Sequence, residues 1–137
     1  MNKIEMPNWP FYEEEERISV EKVLRSGKSN YWSGSQGKFF EDEFAVWCGA
    51  SHGLCVFNGT IAIEIALRSC GIVPGDEVIV TSRSFLASAA AGAAIGATPV
   101  FADVDFDSGN LTKETIESVM TSRTRGVVVV HLGGWPA

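Results

Sequence analysis

Residues 74–103 read PGDEVIVTSRSFLASAAAGAAIGATPVFAD, and their pattern decides the fold. Pro74-Gly75-Asp76 is a turn. Glu77-Val-Ile-Val-Thr81 is an apolar run short enough for a strand, and its lack of alternation predicts burial on both faces. Residues 84–95 form an alanine-rich helix that Gly96 closes. With Ala87, Ala89, Ala90, Ala91, Ala93 and Ala94 it can pack unusually close to its neighbours. Pro99-Val-Phe-Ala-Asp103 is the next strand.

The same alternation continues in both directions. Upstream, Gly53-Leu-Cys-Val-Phe57 is a short apolar run, and Ile61 to Ser69 is a helix that stops at Gly71. Downstream, residues 105–110 are a turn, Thr112 caps a helix running to about Met120, and Gly126-Val-Val-Val-Val130 is a strand. From residue 53 the order is therefore βαβαβαβ. Apolar strands separated by single helices predict an α/β fold, a mostly parallel sheet with flanking helices. Residues 1–52 read differently, as a helical segment with a loop. Glu13 to Glu16 load the first turn of one helix with favourable negative charge; Ile18, Val20, Val23 and Leu24 are its apolar positions, and Gly27 stops it. A polar loop from Ser26 to Gly37 follows, then a helix from about Lys38 to Cys48, with Phe40, Phe44 and Trp47 on one face and Gly49 at its end.

Composition narrows the function. Of 137 residues, 45% are apolar and 20% charged, a globular balance. Eleven basic against 17 acidic residues leave a net charge of −6 with no basic stripe, which argues against nucleic acid and anionic membrane as partners. No apolar run reaches the roughly 18 residues of a membrane span. The acidic, aromatic start MNKIEMPNWPFYEEEE is not that of a signal or transit peptide. Cys48, Cys55 and Cys70 are an odd, sparse set and read as buried thiols of a reducing cytoplasm, with neither a disulfide frame nor a metal site. The last strand, Val127 to Val130, is followed only by HLGGWPA, with no helix to cover it. An uncovered apolar edge is an aggregation hazard, so the chain is expected to be the front part of a longer protein.

Three places could carry chemistry. Phe57-Asn58-Gly59-Thr60 lies where an extended run meets a helix; Gly59 permits close backbone approach, and the free N–H groups with the helix dipole make an anion site to which Thr60 adds a hydroxyl. The plain alternative is a β-to-α turn with a polar cap. No P-loop and no G-x-G-x-x-G is present. Thr81-Ser-Arg-Ser-Phe85 lies past the carboxyl end of a strand, where α/β sheets bind ligands; Phe85 could stack on a flat ring or pack on the next helix. Asp103 and Asp105 run into a turn and read as turn-forming groups rather than metal ligands or bases, and His131, at a strand end, reads as structural. The loop Asn30-Tyr-Trp-Ser-Gly34 sets aromatics among small polar residues and could meet a sugar or a partner chain, or simply be pinned by its own rings.

These segments together resemble a known family. Trp9-Pro10, Val23-Leu24-Arg25-Ser26-Gly27, Phe40-Glu41-x-x-Phe44-Ala45, Asn58-Gly59-Thr60, Gly71-Ile-x-Pro-Gly-Asp-Glu-Val-Ile79, Ser84-Phe85, Gly96-Ala-x-Pro-Val-Phe-x-Asp-Val-Asp105 and Val130-His-Leu-x-Gly-x-Pro136 occur in order and in register. They resemble the amino-terminal part of the DegT/DnrJ/EryC1/StrS aminotransferases, pyridoxal-phosphate enzymes of fold type I that transaminate nucleotide-linked keto-sugars. Asn30-Tyr-Trp and Gly134-Trp-Pro136 are similar to the perosamine-synthetase-like branch, linked to lipopolysaccharide and other surface glycans. The resemblance implies that residues 53–137 are the first four strands and helices of the cofactor-binding large domain, incomplete in this chain. It implies that Asn58, Gly59 and Thr60 hold the cofactor phosphate, although Asn58 stands where the family has Ser. It implies that Phe85 stacks on the pyridine ring, and that Ser33 and Gly34 approach substrate near a homodimer interface.

The family's catalytic residues have no match here. The carboxylate that pairs with the pyridine nitrogen and the S-x-H-x-x-K segment with the Schiff-base lysine are expected beyond residue 137. None of Lys3, Lys22, Lys28, Lys38 or Lys113 stands in their place. The implied reaction passes an amino group from a donor, glutamate, to the 3- or 4-keto carbon of the sugar, and the 137 residues alone are expected to be inactive. Two other readings stand beside it: a non-catalytic α/β binding or dimerisation module, and a sugar dehydratase of the same family, which also uses pyridoxal phosphate.

Overall fold

In the computed structural model, which describes residues 9–137, strand β1 (Glu77–Thr81) is the centre of the sheet. Every one of its residues is buried, as its unbroken apolar run requires. Strand β2 (Thr98–Ala102) lies on one side of β1 and β3 (Thr124–Val128) on the other, both parallel, giving the order β2-β1-β3. The register pairs Ile79 with Val100 and with Val127. Parallel neighbours need crossovers, and the helices supply them.

The chain divides into two compact units, Met1–Cys55 and Val56–Ala137. In the second, the sheet is covered on both faces, because side chains alternate along β1. Val78 points into a cluster with Leu67, Ile72, Ile95 and Ala97, beneath helices α3 (Gly59–Ser69) and α4 (Ala87–Ala94). Ile79 points the other way, into Ala102 and Leu111, with Ile116 of α5 (Lys113–Glu117) against them. Burying Val78, Ile79 and Val80 is worth about 1.5–3 kcal/mol each. Of the small residues of α4, Ala87, Ala91 and Gly92 are buried while Ala93 and Ala94 are exposed, and a Cβ at Gly92 would stand 3.9 Å from that of Val78. Gly96 ends this stretch with φ +85°, and a Cβ there would come within 3.0 Å of the Pro74 ring. Any other residue would be both strained and crowded.

In the first unit, α1 (Glu14–Ser26) opens with the Glu13 N–H donating to Glu16 Oε2 at 2.7 Å and ends at Gly27, φ +67°. Helix α2 (Gln36–Cys48) ends at Gly49, also φ +67°. Phe40 and Phe44 stack with ring centroids 5.5 Å apart, and Trp47 continues the stripe.

Two expectations are corrected. Gly53–Phe57 is not a strand. A strand exists only through a neighbour that shares its backbone hydrogen bonds, and the Cys55 N–H is instead taken by the Glu41 carboxylate of α2, 2.7 Å away. The second unit thus has three strands where the sequence pattern counts four. The three cysteines, Cys48, Cys55 and Cys70, are exposed rather than buried. Cys48 closes α2 and Cys70 caps α3, positions at helix ends rather than on their packed faces. Strand β3 is an edge, with Val127 in it and Val129 just past its end partly open to solvent.

Candidate functional site

Asn58 begins α3. Its backbone is extended, and its side-chain Oδ1 accepts the Ile61 N–H at 3.0 Å, an N-cap built as the sequence predicts. The Ala62 N–H goes to the Asn58 carbonyl. Among the described residues, none accepts from the Gly59 or Thr60 N–H. These two donors stand at the positive end of the helix dipole. Gly59 has no positive φ, and nothing lies within 4 Å of where its Cβ would be. Neither backbone strain nor the chain's own packing therefore explains the glycine. The turn is open to a group brought from outside, and its donors and dipole suit an anion such as phosphate.

Phe85 follows the carboxyl end of β1. The loop before it is held by the Arg83 N–H donating to Thr81 Oγ1 at 3.0 Å and by a 2.6 Å hydrogen bond between the Ser84 and Ser88 hydroxyls. The ring is 78% exposed, which decides against packing on the next helix. It is available as a stacking surface. The Arg83 guanidinium donates to the Gly109 carbonyl at 2.8 Å.

Asp105 forms its turn as expected. Its Oδ2 accepts the Ser108 N–H at 2.8 Å and the Ser108 hydroxyl at 2.9 Å, and these bonds hold its carboxyl below the usual range. Asp103 Oδ1 accepts the next N–H, that of Val104. No metal-binding cluster occurs among the described residues. His131 Nδ1 accepts the Ala137 N–H at 3.0 Å, a local structural bond.

Ser33 and Gly34 belong to the first unit. Asn30 Oδ1 accepts the N–H groups of Trp32 and Ser33, both at 3.0 Å, and the Gly34 N–H goes to the Asn30 carbonyl at 2.8 Å. A Cβ at Gly34 would stand 2.5 Å from the Lys28 carbonyl oxygen, so only glycine fits. Trp32 is fully out in solvent. Sequence reasoning passed over one residue in this unit. Glu41 is buried on α2 with no ion pair among the described residues, and its two oxygens accept from the Tyr31 hydroxyl and the Cys55 N–H. Its only signal in the sequence is an acidic residue beside Phe40 and Phe44 on the apolar stripe.

A family model described as the DegT/DnrJ/EryC1/StrS aminotransferase family matches residues 10–137. The chain belongs to this family. It is 40% identical over 95% of its length to 3-amino-5-hydroxybenzoate synthase of Amycolatopsis mediterranei, covering 34% of that protein. It is 41% identical over 99% of its length to dTDP-3-amino-3,4,6-trideoxy-alpha-D-glucose transaminase of Streptomyces venezuelae, covering 38%. Among solved structures, Spr1654 of Streptococcus pneumoniae in its PLP form superposes with a TM-score of 0.86 at 30% identity, over 93% of this chain and 32% of that one. The chain thus spans about a third of the length of the relatives it matches. The fold is that of the family's α/β aminotransferases. No helix among the described residues is long and apolar enough to cross a membrane.

Proposed function

We propose that this chain is the amino-terminal part of a pyridoxal-phosphate-dependent aminotransferase acting on a nucleotide-linked keto-sugar. The observation that carries the reading is the open Gly59 turn at the start of α3. Its free N–H groups and the Thr60 hydroxyl would hold the cofactor phosphate, while Asn58, engaged in capping, would hold the turn itself. Phe85, exposed at the end of the central strand, would stack on the pyridine ring. Ser33 and Gly34 would meet the sugar. When bound, pyridoxal phosphate supplies the electron sink through which an amino group is transferred. The lysine that anchors the cofactor lies outside these 137 residues in this reading, because S-x-H-x-x-K occurs nowhere in them.

The Streptomyces relative named as a sugar transaminase and the PLP form of Spr1654 support substrate class and cofactor. We extend the reading to glutamate as donor, a homodimer, a cytoplasmic setting in keeping with three free thiols, and surface-polysaccharide or lipopolysaccharide synthesis as destination. The family resemblance supports donor and dimer, and Asn30-Tyr-Trp and Gly134-Trp-Pro136 support the destination.

The test uses the full-length gene product, incubated with glutamate and nucleotide-linked keto-sugars and followed by mass spectrometry. Visible absorbance of the bound cofactor, bleached by borohydride, together with an amino-sugar product is expected. A product that loses a hydroxyl and gains no nitrogen would move the assignment to the dehydratase. Failure to take up pyridoxal phosphate would overturn both and leave a non-catalytic module.

A further inference from the structure

A carboxylate removed from water is costly unless hydrogen bonds compensate it. Glu41 is 9% exposed, and among the described ion pairs none involves it. What surrounds it is a pair of donors from two other segments. Oε2 accepts the Tyr31 hydroxyl at 2.9 Å, and Oε1 accepts the Cys55 N–H at 2.7 Å. Hydrogen bonds to an ionised acceptor are about twice as strong as neutral ones, and a carboxylate can receive two at once, one on each oxygen.

The neighbouring glycines show how closely these segments are drawn together. A Cβ at Gly37 would stand 2.9 Å from the Tyr31 ring, and a Cβ at Gly53 would stand 2.6 Å from the Glu41 carbonyl oxygen. The Tyr31 ring therefore lies across the first turn of α2, and residue 53 lies against its middle. Tyr31 is the second residue of the loop that Asn30 closes on the N–H groups of Trp32 and Ser33. The loop's own bonds give it shape. The Tyr31–Glu41 bond ties that shape to the helix.

We infer that Glu41 is a positioning residue: through Tyr31 it holds the Asn30–Gly34 loop on α2 in the one conformation that presents Ser33 and Gly34 to substrate. Its second bond, to the Cys55 N–H, holds the end of the first unit against α2. The inference rests on the proposed sugar-binding role of Ser33 and Gly34.

The experiment compares full-length wild type with Tyr31→Phe, which keeps the ring over Gly37 and removes only the hydroxyl, and with Glu41→Gln, which keeps the volume and removes the charge. Steady-state kinetics are measured against both substrates, and amide hydrogen exchange is measured over residues 28–37. Losing a hydrogen bond to a charged group is expected to raise the KM for the keto-sugar on the order of tenfold. The KM for the amino donor and the visible absorbance of the cofactor should not move, which a general loss of structure could not achieve. Faster exchange confined to the loop is expected in Tyr31→Phe, with Glu41→Gln between it and wild type. Unchanged loop exchange in Tyr31→Phe, or a loss shared equally by both substrates and the cofactor, would overturn the inference. If wild type proves not to be an aminotransferase, the proposed function fails by itself, and the exchange data still decide whether Glu41 positions the loop.

Discussion

Glu77, the first residue of β1, and Arg123, the residue before β3, face each other across the start of the sheet, with Arg123 Nε 2.9 Å from Glu77 Oε1. The Arg123 N–H groups and the Thr121 hydroxyl all donate to this one carboxylate. The Glu77 N–H in turn goes to the Arg123 carbonyl at 2.9 Å. The pair thus fixes where β3 begins to run beside β1, at the point where the register between them shifts.

This arrangement predicts acid sensitivity. The Thr121 hydroxyl first, and then Arg123, hold the Glu77 carboxyl below its ordinary value of 4.5, against the opposing effect of burial. A carboxylate whose pKa is lower in the folded than in the unfolded state stabilises the fold above the unfolded value. That contribution is lost as pH falls from about 4.5 through the lower folded value. Urea midpoints of the full-length protein should therefore drop between pH 5 and pH 3, within the range where such carboxylates protonate. Glu77→Gln should be less stable at pH 7 and show a flatter pH profile. Equal slopes for the two proteins would remove Glu77 from the account.

Gly59→Ala separates function from stability. No atom lies within 4 Å of the new methyl group and the backbone is not left-handed, so the fold tolerates it. Replacing glycine at a compatible position stabilises by about 0.4–1 kcal/mol through the unfolded chain. The apo protein should melt at the same or a higher temperature, while the affinity for pyridoxal phosphate should fall roughly tenfold or more as the methyl enters the space of the phosphate. Unchanged cofactor affinity would move the phosphate site elsewhere.

Phe85 and Ile79 make a paired comparison. Phe85 is 78% exposed and Ile79 fully buried. Phe85→Ala should alter apo stability by no more than about 0.5 kcal/mol, as surface changes do. It should weaken cofactor binding by about 0.5–1.5 kcal/mol, the worth of a stacked aromatic pair. Ile79→Ala should cost about 2–5 kcal/mol of stability. Denaturant midpoints and cofactor titrations of the two variants check the contrast. A large stability loss in Phe85→Ala would mean the ring is covered in the full protein.

Much of the local structure was legible in advance, and for a local reason. Thr112 caps α5, with the Thr115 N–H donating to its hydroxyl at 3.3 Å. Asn58 caps α3, Gly27 and Gly49 end the first two helices, and β1 occupies its expected residues. Each depends on backbone groups within about four residues, so the residue types carry the information. The Gly59 turn and Phe85 were visible in the same way, as a glycine and an aromatic at the ends of apolar runs. Whether Phe85 packs or stays open was not visible, because exposure depends on what lies opposite.

From the sequence alone come the α/β alternation, the turns, the caps and the family to which the chain belongs, all written in residues close together or in motifs in register. Only the tertiary structure shows that Gly53–Phe57 lacks a strand neighbour, that the cysteines face outward, and that Glu41 and Glu77 are buried. Strand pairing and the burial of charge each require a partner distant in the chain, Tyr31 and Cys55 for Glu41, Thr121 and Arg123 for Glu77. A carboxylate written in the sequence is the same residue in water or in the interior; the segments that fold around it decide which.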